Sequence, residues 1–183
     1  RYDREEGTLL IDPSRVRWLE APYDLVRKMR ASFFVLGPLV GKYREAKISM
    51  PGGCAIGARP VNIHLQALEA LNIHLEVEHG YVVADGSAMK GGRVHLEFPS
   101  VGATENALCA AVRAPGESVI ENAAREPEVT DLADFLATAG AKIEGQGTST
   151  IHIQGVDNLS VEAYSIIPDR IEAGTYLAAA ALS

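Results

Sequence analysis

Basic residues are in short supply. The chain of 183 residues has 17 Lys and Arg against 24 Asp and Glu, a formal net charge of −7. That balance argues against a sequence-independent grip on nucleic acid, which needs a basic face. It leaves room for anionic ligands, because a few clustered arginines outweigh a global excess of acid. Cysteine is scarcer still: two residues, Cys54 and Cys109, far from the density of a secreted disulfide scaffold. No apolar run is long enough to cross a bilayer without Gly, Pro or charge interrupting it. The opening Arg1-Tyr2-Asp3-Arg4-Glu5-Glu6 has no apolar segment of the kind a signal peptide needs. A cytoplasmic protein is expected, without membrane association. The first residue is not Met, and Gly7-Thr8-Leu9-Leu10-Ile11 reads as a strand entered in mid-course. A fragment or processed chain is the expectation.

Apolar residues make up 47% of the chain, enough to bury a sizeable core. Their arrangement repeats. The stretches that start at Arg59-Pro60 and at Arg125-Glu126-Pro127 each open with a proline suited to a first helical turn. Each continues with apolar residues at helical spacing: Leu65, Leu68 and Leu71 in one, Leu132, Phe135 and Leu136 in the other. Asn72 and Gly140 close them, both residue types that tolerate the left-handed conformation. A hairpin follows each helix, 75–78 with 81–84 around His79-Gly80, and 142–144 with 151–153 around Gly145-Gln146-Gly147. A further strand is expected at 94–98 and at 162–167, each followed by a proline. Small-residue helices are then expected at 102–112 and 171–182. The period is about 67–69 residues. A partial earlier copy supplies one long helical stretch from Pro22 through Met29, Phe33 and Leu36, then a strand at 46–50 that matches 117–120. Repeated βαβαββ units of this kind predict an α/β (α+β) fold with helices packed on sheets.

The copies differ most between strand and helix. One passes through Glu121-Asn122-Ala123-Ala124-Arg125-Glu126-Pro127, the other through the longer Pro51-Gly52-Gly53-Cys54-Ala55-Ile56-Gly57-Ala58-Arg59-Pro60. A connection that departs from its sibling is where function concentrates. Cys54 is flanked by glycines that allow close backbone approach. Arg59 nearby would favour its thiolate, and a thiol whose pKa is brought near the working pH is a usable proton donor. The alternative is an ordinary half-buried cysteine. Cys109, within Ala107-Leu108-Cys109-Ala110-Ala111-Val112, reads as core packing. Arg59, at a helix start, suits a phosphate or a plain salt bridge. Arg30, inside an apolar helical stretch, needs a partner, either a ligand or a carboxylate. Ser100-Val101-Gly102-Ala103-Thr104 offers a helix start that could cradle an anion. Ser100 as a cap is the simpler explanation. Asp169-Arg170-Ile171-Glu172 holds the same place in the next copy, and its acids suit a helix N-terminus. His64, His74, His79, His95 and His152 have no metal-ligand spacing, and no metal or other cofactor is expected.

The run from Pro51 to Val61 resembles the signature segment of the UDP-N-acetylglucosamine 1-carboxyvinyltransferase family. So do Met29-Arg30-Ala31-Ser32, Val35-Leu36-Gly37-Pro38-Leu39, Ser100-Val101-Gly102-Ala103-Thr104, the stretch from Glu121 to Glu128, and Pro168-Asp169-Arg170-Ile171-Glu172. They follow in the family's order along almost the whole chain. Gly52-Gly53-Cys54 separates this family from the shikimate-pathway enzymes that share the fold. The resemblance implies an inside-out α/β barrel of two domains, each with three repeated units, incomplete here. Residues 1–167 would be most of the second domain and 168–183 the start of the return into the first. It implies transfer of the enolpyruvyl group of phosphoenolpyruvate to the sugar 3-hydroxyl of UDP-N-acetylglucosamine, with release of phosphate, as the first committed step of peptidoglycan synthesis. Cys54 matches the family's general acid, the thiol that fosfomycin alkylates and a place where a pyruvyl adduct could form. Arg30, Arg59, Pro60, Val61, Asn62, Ile63, Phe98, Pro99, Ser100, Val101 and Gly102 match its substrate-binding positions. Asn62 stands where the family usually has Asp, and Phe98 where some members place Lys. The implied partners are these small substrates and the remaining segments of the same enzyme. An enolpyruvylshikimate-phosphate synthase-like enzyme, or a non-catalytic nucleotide-sugar-binding paralogue, are the alternatives.

Overall fold

The architecture comes from a computed structural model, which describes residues 2–3, 5–12, 16, 18–50 and 61–182. Two copies of one unit dominate it. In the first, strands β3 (Glu20–Ala21), β4 (Glu45–Ser49), β5 (His74–Glu78) and β6 (Tyr81–Asp85) form a sheet in the order β3-β4-β6-β5. In the second, β7 (Arg93–His95), β8 (Glu117–Glu121), β9 (Lys142–Glu144) and β10 (Thr150–Gln154) form a sheet in the order β7-β8-β10-β9. The first pair in each sheet is parallel and the rest antiparallel. Parallel neighbours need a crossover, and helices supply it: α2 (Leu36–Tyr43) between β3 and β4, and α4 (Val101–Ala111) between β7 and β8. Helices α3 (Asn62–Glu69) and α5 (Pro127–Thr138) then lead into the two hairpins. The βαβαββ unit read from the sequence is therefore present twice. A short β1 (Tyr2–Asp3) and β2 (Thr8–Leu9) pair precedes the first unit, and α6 (Arg170–Leu182) follows the second.

Turn chemistry fixes the unit ends. Asn72 (φ 60°) and Gly140 (φ 103°) close the helical stretches in the left-handed region. His79 (φ 49°) and Gly80 (φ 81°) make the tight β5–β6 turn. Pro127 lies at the start of α5, where its missing N–H costs nothing.

Helices are inside and sheets outside. Helix α4 buries Ala103, Thr104, Asn106, Ala107, Leu108, Ala110 and Ala111, and such all-round burial marks a central helix. Gly37 lies against the backbone of Asn106 and Gly41 against that of Cys109 and Ala110, so α2 and α4 run parallel with their main chains close. Ile48, Val82, Val94, Ile120, Ile151 and Ile153 point inward from the sheets to meet them. The opposite faces, with His74, Glu76, Glu78, Arg93, His95 and Glu117, are exposed. No helix is long and apolar enough to cross a membrane among the described residues.

Three expectations change. The helical stretch from Pro22 is broken into α1 (Tyr23–Val26), a 3₁₀ turn over Arg30–Val35 and α2. Met29 is extended (φ −142°), and Pro38 forces a fresh first turn because only there is its lack of an N–H free of cost. The strand at 94–98 is pared to 93–95, and 162–167 pairs with no strand among the described residues. There the chain runs beside α5 instead, with Tyr164 bonded to Asp131.

Ser118 is fully buried on β8, and its hydroxyl finds no hydrogen-bond partner among the described residues. Removing an unsatisfied buried hydroxyl costs nothing in lost pairing. Ser118→Ala is expected to unfold in urea within about 0.5 kcal/mol of the parent or above it. Ile120→Ala on the same face is expected to lose about 2–5 kcal/mol.

Candidate functional site

Three chain segments meet at the end of the helix layer where α2, α3 and α4 begin. The 3₁₀ turn brings Phe33 and Phe34; α3 brings His64 in its first turn; α4 brings Gly102 and Asn106. Phe33 meets the His64 ring edge-on with centroids 5.4 Å apart, and Phe34 stacks on it at 6.0 Å. Gly102 is required here: a Cβ would run into the Phe34 ring and lie 2.8 Å from His64 Cε1. Asn106, fully buried, ties the three together. Its Oδ1 accepts from the Gly37 N–H at 2.8 Å, and its Nδ2 donates to Phe33 O at 3.4 Å and meets His64 Nδ1 at 2.8 Å.

Of the positions marked in the sequence, the structure brings Arg30, Val61, Asn62, Ile63, Ser100, Val101 and Gly102 to this one end. Arg30 heads the 3₁₀ turn. Val61 and Ile63 are buried in the core, whereas Asn62 is exposed at the first position of α3. Phe98 is 52% exposed, and Pro99 is exposed beside it. Ser100 caps α4, its Oγ accepting from Ala103 N at 3.4 Å, so the capping explanation holds for its hydroxyl. Cys54, Arg59 and Pro60 lie outside the described residues.

The main chains can do chemistry of their own. Parallel helices starting at one end add their N-terminal partial positive charges, and unpaired first-turn N–H groups bind anions. Among the described residues, no side chain caps α3. The arrangement suits a phosphate or other anion between the α3 and α4 starts.

Behind this end, Thr104 joins α4 to the β8–α5 connection: its hydroxyl donates to Ser100 O at 2.8 Å and accepts from Ala124 N at 3.1 Å. Asn122 (φ 56°) donates to Leu96 O at 2.8 Å. Arg170 grips Glu128 with two bonds of 2.9 and 2.8 Å, which holds that carboxyl below its ordinary range. Asp169 caps α6, accepting from Ile171 N at 2.8 Å. Burial, with the Glu128 charge adding, pushes Glu105 up to about 7. Burial likewise raises the Cys109 thiol to about 12, reinforced by Glu105. A thiol that stays protonated at neutral pH is a poor nucleophile, as its core-packing reading requires.

The sequence reading passed over Asn106 and Phe34, and took His64 only as a non-metal histidine. A signal was available: a carboxamide within an Ala-rich buried helix must have partners.

Two outcomes follow from these contacts. Gly102→Ala is expected to cost about 1–3 kcal/mol in denaturant unfolding, because ring and helix must part. Glu105 has a folded pKa of about 7, above the roughly 4.3 of a free chain. The unfolded state therefore ionises first, and stability falls as pH rises from about 4.3 toward 7 and stays reduced above that. Glu105→Gln is expected to remove this fall, seen as a flatter Tm against pH and a higher Tm than the parent at alkaline pH.

The profile of the family described as EPSP synthase (3-phosphoshikimate 1-carboxyvinyltransferase) matches residues 1–183. Among curated proteins, the UDP-N-acetylglucosamine 1-carboxyvinyltransferase of Trichlorobacter lovleyi is 52% identical over 182 residues, 99% of this chain and 43% of that protein. That of Nitratidesulfovibrio vulgaris is 57% identical over 164 residues, 90% of this chain and 39% of that protein. The chain thus spans less than half the length of the curated relatives it matches. Among solved structures, the enolpyruvyl transferase NikO from Streptomyces tendae superposes with a TM-score of 0.80 at 25% identity, over 98% of this chain and 43% of that one. EPSP synthase from Acinetobacter baumannii shares the fold, with a TM-score of 0.57 at 16% identity over 72% of this chain and 30% of that one. The inside-out α/β architecture, with its repeated unit and its inward helices, is thus the one these transferases have, and the chain belongs to the EPSP synthase family.

Proposed function

We propose that the chain is the cysteine-bearing part of a UDP-N-acetylglucosamine 1-carboxyvinyltransferase. On this reading it transfers the enolpyruvyl group of phosphoenolpyruvate to the sugar 3-hydroxyl in the first committed step of peptidoglycan synthesis. The observation that carries the proposal is identity of 52–57% with proteins of that name over 90–99% of the chain. The geometry supports the reading, because a diphosphate needs an anion site and helix N-termini such as those of α3 and α4 favour anions. Asn62, Ser100, Val101 and Gly102 would line the nucleotide-sugar side, with Phe98 and Pro99 at its rim. Val61 and Ile63, whose side chains are buried, would contribute main-chain groups only. Arg30, Arg59 and Pro60 complete the set.

Cys54 is assigned the general acid. The sugar hydroxyl gives its proton to a base in the remaining segments of the enzyme as its oxygen attacks C2 of phosphoenolpyruvate, while Cys54 delivers a proton to C3; the C2–O bond to phosphate then breaks as a base takes a proton from C3 and the double bond re-forms. No metal or cofactor enters these steps. Residues 1–167 belong to one domain, and 168–183 begin the return into another. The remaining segments of the enzyme would supply the other wall of the site. Helix α6 supports this division: it buries no residue and exposes Ile171, Tyr176, Leu177 and Leu182, an apolar surface for those segments to cover. The cytoplasm is the place for such a reaction. An enolpyruvylshikimate-phosphate synthase is disfavoured by the Gly52-Gly53-Cys54 run, absent from that branch.

Brief fosfomycin treatment followed by peptide mass spectrometry tests the assignment. The expected result is a single adduct on Cys54, promoted by UDP-N-acetylglucosamine, with Cys109 unmodified because its thiol is raised to about 12. Labelling of both thiols at similar rates, with no effect of the sugar nucleotide, would sink it. The 183-residue chain alone is expected to show no turnover and to gain it when the missing segments are added.

A further inference from the structure

We infer that Asn106 is a positioning residue that locks His64 into one uncharged tautomer, with the proton on Nε2. The orientation of the Asn106 amide is set by two main-chain groups of unambiguous character. Gly37 N–H can only donate, so the atom 2.8 Å from it is the oxygen. Phe33 C=O can only accept, so the atom facing it at 3.4 Å is the nitrogen. Flipping the amide would set donor against donor at α2 and oxygen against oxygen at the 3₁₀ turn. The Nδ2 that lies 2.8 Å from His64 Nδ1 is therefore a donor. Nδ1 must offer a lone pair, and a neutral imidazole with a bare Nδ1 carries its proton on Nε2.

The same contact opposes charging. An imidazolium carries hydrogens on both nitrogens, and Nδ1–H would confront the Asn106 N–H. Among the described residues, further groups packed on the ring reinforce this: Phe33 edge-on, Phe34 stacked, and Gly102 against Cε1. Of the charged groups on the neighbouring elements, Glu105 precedes Asn106 on α4 and is under the influence of Glu128 on α5, and Arg30 heads the 3₁₀ turn. His64 is half-buried in the first turn of α3, beside Gly102. Held this way, the His64 ring keeps one proton position and one charge where a free imidazole changes both. The lock stands whether or not the ligand is a nucleotide sugar.

Long-range ¹H–¹⁵N correlation spectra of the isotope-labelled chain read the tautomer of His64 directly. The expected pattern is a pyridine-like Nδ1 and a protonated Nε2, unchanged between about pH 8 and pH 5. A protonated Nδ1, or charging of His64 within that interval, overturns the inference. Asn106→Asp then separates the lock from the pocket around it. The carboxylate still accepts from Gly37 N–H but sets an acceptor against Nδ1, so His64 is expected to take a second proton within that interval. An unchanged His64 in this variant would assign the lock elsewhere. Asn106→Ala serves where the aspartate fails to fold: with no amide to oppose it, His64 is expected to charge in the same interval.

Discussion

Asn106 is wholly buried and spends both ends of its amide on other segments. Its oxygen holds the first turn of α2, and its nitrogen holds the 3₁₀ turn and the first turn of α3. Two of these elements bear Phe34 and His64 and begin with Arg30 and Asn62. A buried polar group costs free energy unless each of its atoms is paired, and here the pairing is spent on registering three helix starts against a fourth element, α4. An apolar residue of similar volume would fill the space but would specify no orientation. The convergence at this end is thus a consequence of one carboxamide, on a helix whose other buried polar side chain is Thr104.

Close approach of main chains is what gives that carboxamide its reach. Asn has a short side chain, so Gly37 N–H can meet it at 2.8 Å only because α2 lacks a Cβ at the crossing. Gly41 repeats the arrangement one turn on, against Cys109 and Ala110. Gly102 does the same for the Phe34 and His64 rings. Interiors are close-packed enough that a single methyl is felt, so these three glycines and the amide form one geometric unit. Thr104 extends it backward to Ala124, and through that connection to the start of α5, where Glu128 holds Arg170.

The sequence carried the repeat clearly because hairpins and helix closures depend on local chemistry. Asn72, Gly80, Gly140, Gly145 and Gly147 all take positive φ where the turn reading needed them. Helix α6 was likewise visible from its Asp169 cap and alanines, although it buries nothing. What failed was set by partners. Residues 162–167 have strand-forming composition, but a strand exists only beside another, and here α5 is the neighbour through Tyr164 and Asp131. The stretch from Pro22 has helical periodicity, yet Pro38 starts a new helix inside it. At the site, the glycines and Ser100 were legible as helix-start chemistry. The Asn106–His64 contact was not, because it joins residues 42 apart and no pattern along a chain encodes such a meeting.

Net charge is a weak guide to the charge a local site would favour, for a reason the architecture makes plain. The acids are largely on the outer faces and edges of the sheets: Glu45, Glu76, Glu78, Asp85, Glu117 and Glu144 are all exposed. An inside-out fold turns those faces to water, where screening extends over about 10 Å at moderate salt. Helix starts at the inner end carry partial positive charges that act at short range. Behind this end burial holds Glu105 up to about 7, which reduces its negative charge at neutral pH, and Arg170 pairs with Glu128. Helix-start charge at α3 and α4 is local, and the chain's overall −7 does not describe it.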